Sequence, residues 1–147
     1  MSSRDINDAT KPLKENWEAI KAEYAKVVTG KHLVLTCVHR TPEEQALLFN
    51  KGRTKGSDGK WVVQDKAKIV TNVDGVSVLG AHNYKPARAI DVMVMDNVSG
   101  QPTWEEKWYL PLGPIVRKLG LTWGGDWKSI KDLPHIEIKN YKEYVAS

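Results

Sequence analysis

Cysteine is almost missing from this sequence: Cys37 stands alone among 147 residues, which excludes an intrachain disulfide and any metal site built from a cluster of cysteines. It lies in the apolar run HLVLTCVH, where a free thiol usually acts as a small hydrophobe, with a catalytic thiol as the alternative. Long hydrophobic runs are missing as well. No window approaches the roughly 18 to 20 apolar residues of a membrane span, so no membrane anchor is expected. The first twenty residues, MSSRDINDATKPLKENWEAI, contain no apolar h-region and do not resemble a secretory signal. The expectation is a protein that stays in the cytoplasm or leaves it by another route. There is no G-x-x-x-x-G-K-[ST], which removes a phosphate-cradling loop, and no repeat, low-complexity tract or linker that would divide the chain.

What is present fits one ordinary domain, expected to span 1–147 with no separate wall-binding domain. Hydrophobic residues make up 41% and charged residues 27%, the balance of a soluble globular protein. The formal charge of +4 favours an anionic partner and leaves nucleic acid, anionic lipid and the bacterial cell wall open.

Leu13, Trp17, Ile20 and Tyr24 recur at steps of four, three and four, which predicts a helix over 11–26 with Thr10 as its cap and Pro12 in its first turn. HLVLTCVH predicts a strand, and TPEEQALLFNKG a second helix that opens on a capping threonine and ends at Gly52. The basic, glycine-rich stretch 52–66 reads as a hairpin or a mobile loop. PARAIDVMVMD predicts another strand, and WEEKWYLPLGPIVRKLG a helical stretch broken near Pro111 and Pro114. PHIEIK predicts a last short strand. Helices flanking a small antiparallel sheet make the class α+β.

The carboxylate of Asp91 falls inside the apolar run IDVMVM, where burial is costly unless a partner or a metal neutralises it. His82 precedes it by nine residues, and DLPHIEI adds Asp132, His135 and Glu137. In a strand His135 and Glu137 share one face while Ile136 and Ile138 take the other. His82, Asp91 and His135 together would make a His₂Asp set suited to zinc, with an open fourth position. The alternatives are an exposed loop histidine at 82, a satisfied histidine at the start of a strand at 135, and an Asp91 that pairs with Arg88 or caps a turn.

GAHNYKPARAIDV together with WGGDWKSIKDLPHIEI resembles the zinc peptidases of the D-Ala-D-Ala carboxypeptidase or VanY-like group, and within it the bacteriophage endolysins that cleave the L-alanyl-D-glutamate bond of peptidoglycan. CVHRTPEEQALLFNKGRTK resembles the group's segment in which an arginine precedes a Gln-containing helix, so the likeness runs from about 33 to 139. The resemblance implies a Hedgehog/DD-peptidase-like α+β fold with one zinc ion held by His82, Asp91 and His135. It makes Asp132 the catalytic acid/base and Arg40 the residue that polarises the substrate, where the alternative for Arg40 is a surface arginine at a helix entry. Gly80 replaces the group's usual serine two before the histidine, with Ser77 as a candidate replacement hydroxyl, and the loop from His82 to Asp91 is two residues longer than usual, as in the phage enzymes.

Glu137 is expected to hydrogen-bond a ligand histidine, a fourth zinc ligand being the alternative. Trp123 and Trp127 wall a substrate groove or belong to the core. The basic loop is solvated or touches the anionic wall. The resulting expectation is a monomeric phage lysis enzyme, without nucleic acid or membrane as partner, held in the host cytoplasm until a holin-type lesion exposes the wall. A D-alanyl-D-alanine carboxypeptidase on the same scaffold and a zinc-stabilised wall-binding module without catalysis are the competing functions. DNA binding is the plainest reading of the charge.

Overall fold

The computed structural model describes residues 2–145. Helix α1, Lys11–Val27, buries Leu13, Trp17, Ile20 and Tyr24, the predicted stripe. Pro12 falls in its first turn, where no intrahelical N–H is lost. Thr10 occupies the cap position, but its hydroxyl makes no cap bond and is buried without a partner, so the expected side-chain cap is absent. Strand β1, Lys31–Cys37, follows, and then helix α2, Pro42–Phe49. Thr41 and Glu44 close a reciprocal capping box at the start of α2.

The stretch 52–66 resolves into a hairpin of β2, Arg53–Lys55, and β3, Trp61–Val63, which pair only with each other. Strand β4, Ala89–Asp96, is central to the main sheet, and β5, Pro102–Thr103, is a short addition to it. Helix α3, Leu112–Lys118, begins directly after Pro111. Pro114 does not break it, since the third residue of a helix has no partner to lose. Strands β6, Leu121–Trp123, and β7, His135–Ile138, complete the fold.

The main sheet runs β1-β4-β7-β6, with β5 on β4, and every pair is antiparallel. Alternation along β4 divides its two faces: Ile90, Val92 and Val94 are fully buried in the core with Ile136 and Ile138 of β7. α1 and α3 cover that face. Tyr109 locks the edge of the sheet, its hydroxyl accepting from the Val94 N–H and donating to the Thr103 carbonyl. On the opposite face the register lines up three chemical side chains in one row. Cys37 pairs with Asp91, and Asp91 with His135. A register shift between Leu35 and Cys37 brings the thiol into that row.

Candidate active site

Asp91 is where the row converges. Its Oδ1 lies 2.9 Å from His135 Nδ1 and 3.1 Å from His82 Nε2, and its Oδ2 lies 3.8 Å from Arg40 Nη2. Arg88 is not its partner; that guanidinium donates to the Tyr141 carbonyl and stacks on the Tyr84 ring. His82 is not exposed either, because a 3₁₀ turn at Ala81–Asn83 tucks it under the end of β1.

Both imidazoles are oriented by a neighbour. His82 Nδ1 donates to the Val38 carbonyl at 2.7 Å, which leaves Nε2 as the lone-pair nitrogen. His135 Nε2 donates to Glu137 Oε1 at 2.7 Å, which leaves Nδ1. Two lone pairs and a carboxylate oxygen therefore face each other, an arrangement that only positive charge makes stable. Protons can supply it: burial alone would lower both histidines, but the charge of Asp91 lifts His82 to about 10, and hydrogen bonds to Asp91 and Glu137 lift His135 to about 9. Asp91 itself is held far below the usual carboxylate range, the two imidazoles outweighing its burial.

A divalent cation is the other supply, and Asp91 Oδ1 stands at ligand spacing from each histidine. Zinc ligands at about 2.0–2.2 Å on a tetrahedron stand about 3.3 Å apart. The two contacts to Asp91 Oδ1, at 2.9 and 3.1 Å, are close to that spacing. His82 Nε2 is buried and makes no hydrogen bond despite its closeness to Asp91, as a ligand nitrogen aimed at an ion would. Two groups of ligand-type atoms gather within 4.8 Å among the described residues, Cys37 with His82 and Asp91, and Asp91 with Asp132 and His135; each holds one histidine, and Asp91 joins them.

Around this point the structure opens a cleft of about 690 Å³, lined among others by Arg40, His82, Asp91, Trp127, Asp132 and His135. Asp132 is half-buried at its rim, with Oδ2 3.9 Å from His135 Nδ1. Burial, and then the charge of Asp91, raise its pKa above the usual carboxylate range, against the opposing pull of His135, His82 and Arg40. Pro134 and the close approach of Gly124 fix it, since Asp132 N donates to the Gly124 carbonyl and a Cβ on Gly124 would collide with the backbone carbonyl oxygen of Asp132.

Arg40 is aimed by α2. Its Nη1 donates to Gln45 Oε1 at 3.0 Å, and the Gln45 amide nitrogen donates to the Val73 carbonyl at 3.0 Å. Arg40 Nη2 reaches Cys37 Sγ at 3.5 Å, and that thiol also lies 3.7 Å from His82 Nδ1. Cys37 is thus buried as a small hydrophobe would be, but against polar groups. Burial would raise its pKa, and contact with His82 and Arg40 brings it below the ordinary value instead.

The two tryptophans part company. Trp127 lies on the cleft wall, its ring 4.9 Å from that of His135. Trp123 does not reach the groove: it is in the core, with its indole N–H donating to the Leu133 carbonyl at 2.7 Å. Ser77 does not replace the missing serine, because its hydroxyl bonds Asp74 in an exposed turn. At Gly80 the backbone N–H donates instead to Asn83 Oδ1, and the Asn83 amide donates to the Arg40 carbonyl. Asn83 and Gln45 are the two residues that sequence reasoning gave no role. The signal for Gln45 was the resemblance to a segment in which an arginine precedes a Gln-containing helix; its burial in an otherwise exposed or half-buried α2 shows only in the fold.

Comparison with known proteins gives a consistent picture. Residues 75–138 match a family of M15 peptidases described as D-alanyl-D-alanine carboxypeptidase, and that stretch holds His82, Asp91, Asp132, His135 and Glu137. The peptidoglycan L-alanyl-D-glutamate endopeptidase CwlK of Bacillus subtilis is 33% identical over 135 residues, covering 86% of this chain and 71% of the relative. In fold the chain is similar to the L-Ala D-Glu endopeptidase ChiX of Serratia marcescens, with a TM-score of 0.57 and 16% identity over 95% of this chain and 89% of that one.

Proposed function

Since the chain belongs to the M15 peptidase family and is a metallopeptidase, we propose that it hydrolyses peptidoglycan at the L-alanyl-D-glutamate bond of the stem peptide and depends on one zinc ion held by His82, Asp91 and His135. The observation that carries this reading is the convergence of His82 Nε2, Asp91 Oδ1 and His135 Nδ1, with both ring tautomers set by neighbours on their far side. The endopeptidase names of the relatives favour this bond over a terminal D-alanine. The family's own description supports the carboxypeptidase as the second reading.

Bound zinc would supply Lewis-acid polarisation of the scissile carbonyl and acidify the attacking water. The chain does the rest. Asp132, at the rim of the cleft, takes the proton of the attacking water and returns it to the leaving amide nitrogen. Its raised pKa suits both halves of that transfer. Arg40, held by Gln45, points its remaining N–H groups at the oxygen that gains charge. Glu137 and the Val38 carbonyl keep the two imidazoles turned. Trp127 closes one wall beside His135 and keeps water from that side.

We further place the enzyme in phage lysis, as a monomer that waits in the host cytoplasm until a holin-type lesion opens the membrane. The longer His82–Asp91 loop, shared with the phage enzymes it resembles, supports that role. Asp132→Ala separates catalysis from a wall-binding module without activity. The variant should keep one zinc per chain and its fold and lose about 100- to 10,000-fold in kcat on purified sacculi. Turnover within a few-fold of the unsubstituted protein would remove Asp132 from the mechanism.

A further inference from the structure

The excursion from Lys51 to Lys68 is outside the catalytic machinery, and it is unusual in charge and in exposure. It holds six Lys and Arg against two Asp, a surplus equal to the +4 of the whole chain, so the remaining residues are balanced. Its strands β2 and β3 form a sheet of their own. On β3 three successive apolar side chains are open to solvent: Trp61 is 39% exposed, Val62 49% and Val63 53%. A bare apolar strand of this kind is a hazard unless a ligand covers it.

The hairpin is also built onto the cleft. Trp61 meets the edge of the Phe49 ring at 5.8 Å, and the Arg53 guanidinium lies 3.9 Å from the centre of the same ring. Arg53 donates to the Phe49 and Thr71 carbonyls and to Asn72 Oδ1, and Thr71 and Asn72 line the cleft. A ligand lying along the hairpin is therefore continuous with one that enters the active site.

We propose that the β2–β3 hairpin is a docking surface for the peptidoglycan strand from which the scissile stem peptide hangs. The inference rests on the function proposed above and adds a partner surface to it. The chemistry is complementary: stem peptides carry free carboxylates, and the sugar rings present apolar faces. Lys51, Lys60 and Lys66, which form no ion pair among the described residues, meet the carboxylates. Trp61, 39% exposed, offers the open part of its ring to a sugar, with Lys55 Nζ over the ring at 5.8 Å from its centre. A membrane surface is the poorer occupant, because the hairpin is tied to a cleft rim that a lipid headgroup would not need to reach.

Co-sedimentation with insoluble sacculi tests this, using zinc-loaded protein in an Asp132→Ala background so that the wall survives. Cleavage of a short soluble stem peptide is read in parallel, in the otherwise unsubstituted enzyme. Lys51→Glu, Lys60→Glu and Lys66→Glu combined should lower sacculus affinity by about tenfold at low salt and flatten its salt dependence. Trp61→Ala should lower it about threefold to tenfold, nearly independent of salt. Both should leave cleavage of the soluble peptide at the unsubstituted rate. Unchanged sacculus binding in both would overturn the proposal. So would retained sacculus binding with lost binding to phosphatidylglycerol vesicles, which would make the hairpin a membrane contact. Failure of the unsubstituted enzyme to cut the soluble peptide would count against the proposed function, while the sacculus result would still decide the docking surface.

Discussion

Glu137 orients a histidine of the site from the far side of its ring. It is buried in β7, two residues from His135, and its carboxylate accepts a hydrogen bond from Nε2–H and so decides which nitrogen faces Asp91. Glu137→Gln keeps the shape but weakens that acceptor, and a carboxamide can also turn its NH₂ toward the ring. Zinc affinity should fall by about 10- to 100-fold, as it does when outer partners of metal-bound histidines are removed. A competition titration with a chromogenic chelator reads this directly, and an unchanged affinity would show that His135 does not need Glu137. Residue identity was also the level at which the sequence said most. An aspartate among Ile90, Val92 and Val94 had to have a partner, and the structure gives it three in His82, His135 and Arg40.

At the scale of elements, the turn between β6 and β7 carries the acid/base candidate and leaves no room for a side chain. A Cβ on Gly124 would collide with the backbone carbonyl oxygen of Asp132 and approach His135 Cβ to 3.0 Å. Gly124→Ala should therefore cost about 1–3 kcal/mol of stability by overpacking and also reduce kcat by moving Asp132. Thermal unfolding and sacculus turnover on one preparation check both, and a neutral effect on each would mean that the turn relaxes freely. The turn after β4 makes a different prediction. Asp96 accepts from the Ser99 and Val98 N–H groups and from Lys31 Nζ, and the Ser99 bond above all holds its pKa down to about 2. A depressed carboxylate stabilises the fold at pH values above its unfolded pKa, and that contribution disappears as pH falls through about 2. The Tm difference between the unsubstituted protein and Asp96→Asn should accordingly shrink from pH 5 to pH 2. A constant difference would mean that Asp96 acts through packing alone.

The elements were unequally legible. α1 could be read from its stripe and α2 from its capping threonine and first-turn proline, because local chemistry sets both. β5 and β6 were not anticipated: two- and three-residue strands have no period to detect, and they exist because β4 and β7 offer them edges. Trp123 was ambiguous for the same reason. Only the fold decides that its strand turns it inward while Trp127, four residues on, faces the cleft. The roles of Gln45 and Asn83 depend on contacts with Arg40 from residues 5 and 43 positions away, and the second is beyond any local pattern.

For the whole molecule, one sheet separates two chemistries. Its α-helical side is a core built on Ile90, Val92, Val94, Ile136 and Ile138, and its other side is the row Cys37, Asp91 and His135, of which Asp91 and His135 line the cleft. A slip of one residue in β4 against β7 would exchange those faces, so the core and the polar row specify the register together. The measurement that tests the central claim most directly is mass spectrometry of purified muropeptides after incubation with the zinc-loaded protein, beside a chelated sample and one with zinc restored. The account predicts peptides that begin at D-glutamate, absent under chelation and recovered with zinc. Loss of only a terminal D-alanine, or cleavage that chelation leaves untouched, would contradict it.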